Sequence, residues 1–163
     1  MRELSQIRDA VVSALAEGVA ALDAYPDQRA RRYGCPVAAV AVETAESRTV
    51  GFCNYLGEVF DTGAGAPREL YGKQLEAVIS IEIRGQRAAD CEQGCETAAE
   101  VLLGRLPAGI RPGELNWEAL TWERETGLFL RRGRLRCRAY FLARAEEGDT
   151  VFLDFRLKGA VTT

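Results

Sequence analysis

Residues 128–159 read LFLRRGRLRCRAYFLARAEEGDTVFLDFRLKG, and this stretch decides the fold. From Leu128 to Ala145 apolar and polar side chains alternate. Successive side chains of a strand point to opposite faces. Leu135, Cys137, Ala139, Phe141 and Ala143 therefore share one face, and Arg132, Arg134, Arg136, Arg138, Tyr140, Leu142 and Arg144 share the other. Gly148 and Asp149 supply a turn, after which Val151, Leu153, Phe155 and Leu157 continue the alternation. A strand with one apolar face belongs to an antiparallel sheet covered on one side.

The same pattern appears upstream in LEAVISIEIRG, residues 75–85. A strand is predicted over Leu70 to Arg84, with Leu75, Ala77, Ile79, Ile81 and Ile83 facing inward and Gln74, Glu76, Ser80 and Glu82 facing outward. Between the two strands, Cys91, Cys95, Ala98, Leu102 and Leu106 recur at helical spacing, with Ala99 and Leu103 beside them. Asp90 is the expected N-cap, with Gln93 reaching back to it, and Pro107 and Gly109 end the helix. An N-terminal helix from about Glu3 to Leu22 carries the stripe Leu4, Ile7, Val11, Leu15, Val19 and Leu22. Pro26 closes off that region, since it disfavours helix at the preceding residue. A strand is expected from Cys35 to Glu46, a turn at Glu46 to Arg48, and a short returning strand from Thr49 to Tyr55. Leu56 to Glu69, with Gly57, Gly63, Gly65 and Pro67, reads as a loop whose length suits a functional or interface segment. Residues 108–127 read as partly loop, with a strand beginning near Leu120 and Trp122 and a turn at Glu125 to Gly127. The order α-β-β-β-α-β-β-β is an α+β fold over residues 1–163: one mainly antiparallel sheet with two helices on one face.

Composition narrows the chemistry. The 163 residues carry a net charge of −3, which is no polycation for nucleic acid. Only Lys73 and Lys158 are lysines, and the remaining basic residues are arginines. No histidine is present, so histidine triads, histidine-ligated zinc and imidazole general bases are excluded. The five cysteines, Cys35, Cys53, Cys91, Cys95 and Cys137, are odd in number and scattered. They are expected to be reduced and metal-free, with Cys91, Cys95 and Cys137 buried as small apolar groups. The charged N-terminal helix differs from a secretion signal, and no run approaches the ~18 apolar residues of a membrane span. A cytosolic setting without membrane contact is expected. The glycines near residue 63 lack the spacing of a phosphate loop. Paired carboxylates remain the one catalytic possibility, from Glu76, Glu82 or the group Glu114, Glu118, Glu123 and Glu125, which otherwise read as solvated acids.

The strongest electrostatic feature is the row Arg132, Arg134, Arg136 and Arg138 on one strand face. It has three readings: a solvated face flanked by Glu76 and Glu82, a protein interface, or a nucleic-acid surface with Tyr140, Phe129 or Tyr33 for stacking. Arg132, Arg134, Arg136, Arg138, Glu76 and Glu82 are the candidate interaction residues.

The N-terminal helix ending in AYPDQ, the strand PVAAVAV, QLEAVISIEIRG, the helix CEQGCETAAEVLLGRLP and the closing LRCRAYFLARAEEGDTVFLDFRLKG together resemble the tail-terminator (tail-completion) proteins of tailed phages, prophages and phage-derived contractile particles. The resemblance spans nearly the whole chain. It implies a non-enzymatic structural protein, with no cofactor and no catalytic residue. Such proteins form hexameric rings that cap the tail tube, stop its polymerisation and meet the neck or sheath. The implied partners are further copies of the chain, which is compatible with a free monomer, together with the tube protein and a neck or sheath protein; DNA at most passes through the pore. The implied setting is the bacterial host cytoplasm during assembly and then the particle tail. The same architecture also suits another head–tail connector or baseplate component, or a small carboxylate-dependent enzyme.

Overall fold

The computed structural model describes residues 2–22, 36–145 and 154–159. In chain order the elements are α1 (Arg2–Leu15), β1 (Ala20–Leu22), β2 (Val37–Thr49), β3 (Tyr55–Asp61), β4 (Ala66–Gly85), α2 (Ala88–Gly104), β5 (Ile110–Trp117), β6 (Thr121–Glu123), β7 (Leu128–Ala145) and β8 (Arg156–Leu157). All the strands join one sheet with the path β1-β2-β4-β7-β5; β3 adds to β4, while β6 and β8 add to β7. Among the described strands, only β1 and β2 run parallel.

The centre is the antiparallel pair β4 and β7, in unbroken register from Glu69 opposite Ala145 to Gly85 opposite Phe129. At about 3.4 Å per residue this ladder is roughly 55 Å long. Its apolar face is the one expected. Leu75, Ala77, Ile79, Ile81 and Ile83 of β4 and Leu135, Cys137, Ala139 and Phe141 of β7 are buried in one cluster. Ile7, Val11 and Leu15 of α1 and Cys91, Cys95, Ala98, Val101 and Leu102 of α2 complete that cluster, so both helices cover the same sheet face. The fold is α+β.

Several local expectations change. Helix α1 ends at Leu15 rather than Leu22. The amides of Gly18 and Val19 both donate to the Leu15 carbonyl, and the chain turns so that Ala20–Leu22 pairs with Val37–Ala39. Val19 and Leu22 keep the helical spacing, but Gly18 is a poor helix former and the parallel pairing outweighs it. Strand β2 does not turn at Glu46 to Arg48; it stays paired with β4 as far as Thr49. The segment Leu56 to Glu69 is mostly strand, with β3 antiparallel to the start of β4 around the turn at residues 62–65. Helix α2 starts at Ala88, and Arg87 is its N-cap without a side-chain cap bond. Asp90 instead accepts from Arg87 Nη2 at 2.8 Å and Nε at 3.0 Å, which still places an anion in the first turn. Residues 110–117 form a full strand. The turn at Gly148 and Asp149, and Val151 and Leu153, lie outside the described residues. Leu157 is buried as expected, on the short strand β8.

Cys91, Cys95 and Cys137 are buried and unlinked, and Cys53 is exposed. Burial, reinforced by the neighbouring Cys91, pushes the Cys95 thiol up to about 12, and burial alone pushes Cys137 up to about 11. Alkylation of the native protein at mildly alkaline pH should therefore modify Cys53 quickly and leave Cys91, Cys95 and Cys137 protected until denaturant is added. Peptide mass mapping checks this; fast native labelling of Cys95 would contradict the packing.

Candidate interaction surface

The sheet face opposite the helices carries a lattice of charge. In β7, Arg132 Nε donates to Glu82 Oε1 at 2.9 Å. Arg134 Nε donates to Glu43 Oε2 at 2.9 Å, and its Nη1 lies 3.4 Å from Glu118 Oε1. Arg138 Nε is 3.5 Å from Glu76 Oε1, whose other oxygen is 3.2 Å from Arg48 Nη2. Register explains these pairs: Glu82 lies directly opposite Arg132, and Glu76 opposite Arg138. Three of the four row arginines are thus compensated within the chain, and the candidates Glu76 and Glu82 supply two of the partners. Among the described residues, Arg136 forms no ion pair. Exposed pairs of this kind are worth about 0–1 kcal/mol each, so they set the charge of the face more than its stability.

One partner of the row, Glu43, was not singled out for it by sequence. Glu43 is the extra residue of a bulge in β2, where the register steps between Val42 and Thr44. A bulge re-aims a side chain, and alternation alone gives no sign of it. Glu118 belongs to the acidic group read as solvated and sits just past β5.

At the far end of the same face, Arg84 is only 5% exposed. Its Nε and Nη2 fork onto Glu123 at 2.8 and 2.9 Å, and Nη2 also lies 3.0 Å from Glu82. Thr126 Oγ1 donates to Glu123 as well, at 2.6 Å. The Arg84 hydrogen bonds are the main cause that holds the Glu123 carboxyl below its ordinary range, with burial opposing them and Thr126 assisting. This cluster is structural: it fastens the β6 hairpin to β4.

At the opposite end, the long strands outrun the helices. Helix α2 has 17 residues and is about 26 Å long, roughly half the length of the β4–β7 ladder. Beyond it, β2 and β3 follow one flank of β4 as a single interrupted strand, forming an arm. The interruption is Val50 to Asn54. Val50 N donates to Asn54 Oδ1 at 3.0 Å, Gly72 N donates to the Asn54 carbonyl at 2.8 Å, and Cys53 and Asn54 both have positive φ, 52° and 66°. This hydrogen-bonded kink holds Phe52 out, 86% exposed. Tyr55, Leu56 and Phe60 are also exposed along the arm. Leu56 lies over Gly72, where an added Cβ would come within 2.6 Å of its Cδ1. Phe52, Tyr55, Leu56 and Phe60 are thus large apolar side chains left exposed along the arm, and neither Phe52 nor Phe60 was singled out in the sequence. The available signal was two short alternating runs around a four-residue, glycine-containing turn.

Among the described residues no group of three or more Cys, Asp and Glu side chains is placed to hold a metal ion. No helix of these residues is long and apolar enough to cross a membrane.

No protein-family model and no curated protein sequence matches the chain. Among solved structures, a chain from an assembly titled "Virion of native gene transfer agent (GTA) particle" is similar, with 15% identity and a TM-score of 0.33, covering 83% of this chain and 90% of that one.

Replacing Glu123 with Gln should destabilise the protein by about 1.5–3 kcal/mol, the range for a hydrogen bond to a charged group, because Glu82 remains beside Arg84 and the charge is not stranded. A carboxylate whose pKa is lowered on folding contributes fully above its unfolded pKa and loses that contribution as pH falls through the folded one. The wild type should therefore lose stability in the acid range, and the Glu123→Gln variant should lose less over the same interval. Urea unfolding at neutral and acidic pH measures both.

Proposed function

We propose that the chain is a structural subunit of a phage-like particle, acting as the tail terminator that caps the tail tube. The observation that carries this reading is the arm: a two-stranded hairpin beyond the helix layer, with Phe52, Tyr55, Leu56 and Phe60 exposed. A hairpin alone is marginal in water, and large apolar side chains on one suit burial against another protein. The sequence resemblance supplies the identity of that assembly. It supports a hexameric ring on the last tube ring, with the opposite surface offered to the neck or sheath.

The physics of such a ring is consistent with the surface. A contact between two different patches of the same chain is head-to-tail, and it closes into a ring when the rotation permits. The arm and the far end of the sheet lie at opposite ends of the β4–β7 ladder, as a head-to-tail contact requires. The arginine row has a reduced part in this reading. Arg132, Arg134 and Arg138 are engaged by carboxylates of the same chain, which leaves Arg136 as the member of the row suited to a partner.

The double variant Phe52→Ser, Phe60→Ser should keep its circular dichroism spectrum, because both side chains are exposed in the free subunit. It should fail to enter particles and give tails of uncontrolled length or tails without heads, seen by negative-stain microscopy. Tails of normal length from this variant would remove the arm from the contact. Normal tails after complete deletion of the gene would sink the tail-terminator reading itself.

A further inference from the structure

The polar sheet face is not flat. Between the far part of β2 and strand β5 it encloses an open groove of about 770 Å³ that crosses β4 and β7. Arg136 and Arg138 of β7, Arg111 of β5, Tyr140 and Val78 line it, and carboxylates from Glu46, Glu76 and Glu114 stand around them. Glu46 and Glu76 are engaged with Arg48, and Glu76 with Arg138 as well. Arg136 and Arg111 differ. Neither forms an ion pair among the described residues, and the Arg111 guanidinium rests over the Tyr140 ring at 5.4 Å.

The backbone beside Arg136 is locally rebuilt. β5 pairs with β7 through Pro112 and again from Leu115, and the register breaks between them. Gly113 lies in this bulge. A Cβ there would sit 3.1 Å from the Arg136 carbonyl oxygen, so the absence of a side chain lets the bulge hug β7. Bulges of this kind end pairing and turn side chains towards a site. Here the bulge places Gly113 and Glu114 across from Arg136, with Glu114 at the rim of the groove.

We propose that this groove receives an extended segment of a partner protein, in which a carboxylate flanked by apolar residues is held by Arg136 and Arg111. Charge decides the class of occupant. Two guanidinium groups without carboxylate partners favour an anion, and the planar fork matches a carboxylate. Two such groups match one anion rather than the unbroken row of phosphates that a nucleic acid would bring, and Glu46, Glu76 and Glu114 around them leave no wider positive track. Val78, Tyr140 and Pro112 offer apolar contact to residues on either side of the single acid. The proposal rests on the groove alone, and stands or falls separately from the tail-terminator assignment.

The test uses the full chain and a fluorescent synthetic peptide, acetyl-Thr-Val-Glu-Val-Thr-amide, titrated by anisotropy at low salt. Saturable binding that weakens with added salt is expected. A Gln-for-Glu version of the peptide should bind at least tenfold more weakly, and Arg136→Gln protein should lose the same factor, since a hydrogen bond to a charged group is at stake. Arg132→Gln, whose guanidinium is occupied by Glu82, should bind like the wild type. Circular dichroism of both variants confirms the fold. An absence of saturable binding, equal losses in the two variants, or tighter binding of a short double-stranded DNA than of the peptide would each overturn the proposal.

Discussion

The long antiparallel pairing of β4 with β7 is the constraint on which the rest of the molecule depends. Its unbroken register fixes which side chains face the helices and which face solvent, and a slip of one residue would exchange the two sets. Every other described strand is attached to this pair directly or through β2. The ladder is also longer than the helix layer that covers it. One stretch of the sheet is therefore buried as a core, while another stands out as an arm with no core of its own. The division between the buried core and the exposed arm follows from that difference in length.

The polar face shows how register governs electrostatics. A row of arginines on one strand repels itself unless anions lie opposite. The ladder places Glu82 and Glu76 directly across from Arg132 and Arg138, and a bulge in β2 delivers Glu43 to Arg134. The outcome is a near-neutral lattice over most of the face. It has a buried structural clasp at Arg84 and Glu123, and a local surplus of guanidinium at Arg136 and Arg111. Compensation over most of the row gives the exceptions their meaning.

Strands β4 and β7 and the apolar face of α2 were legible because each alternates or repeats cleanly against a single core. Leu75 to Ile83 and Leu135 to Ala143 are buried where the pattern put them. The end of α1 was not legible. Val19 and Leu22 satisfy a helical period by coincidence, and only the tertiary pairing of Ala20 with Val37 reveals a strand. The arm was hidden by its own turn chemistry. Gly65, at a φ of 66°, belongs to the tight turn, and Pro67 lies beyond the last β7 partner of β4, where a strand without a neighbour on that flank tolerates proline. Read as punctuation, these residues suggested a loop. Of the six candidate interaction residues, Arg132, Glu82, Arg138 and Glu76 were brought together as neighbours. The partners of Arg134 come from a bulge and from the end of β5, which no short-range pattern encodes.

The kink at Val50 to Asn54 completes the physical picture of the arm. A non-glycine residue in the left-handed region costs about 1 kcal/mol or more, and asparagine bears this better than cysteine. Here Cys53 and Asn54 occupy that region in succession, and three hydrogen bonds hold them there. A straight strand would have continued the pairing of β2 into β3. The chain instead keeps a strained kink whose visible result is a phenylalanine held away from its own core. Backbone strain of this kind is found at functional surfaces in proteins generally. In this protein it falls on the segment that the helices leave uncovered.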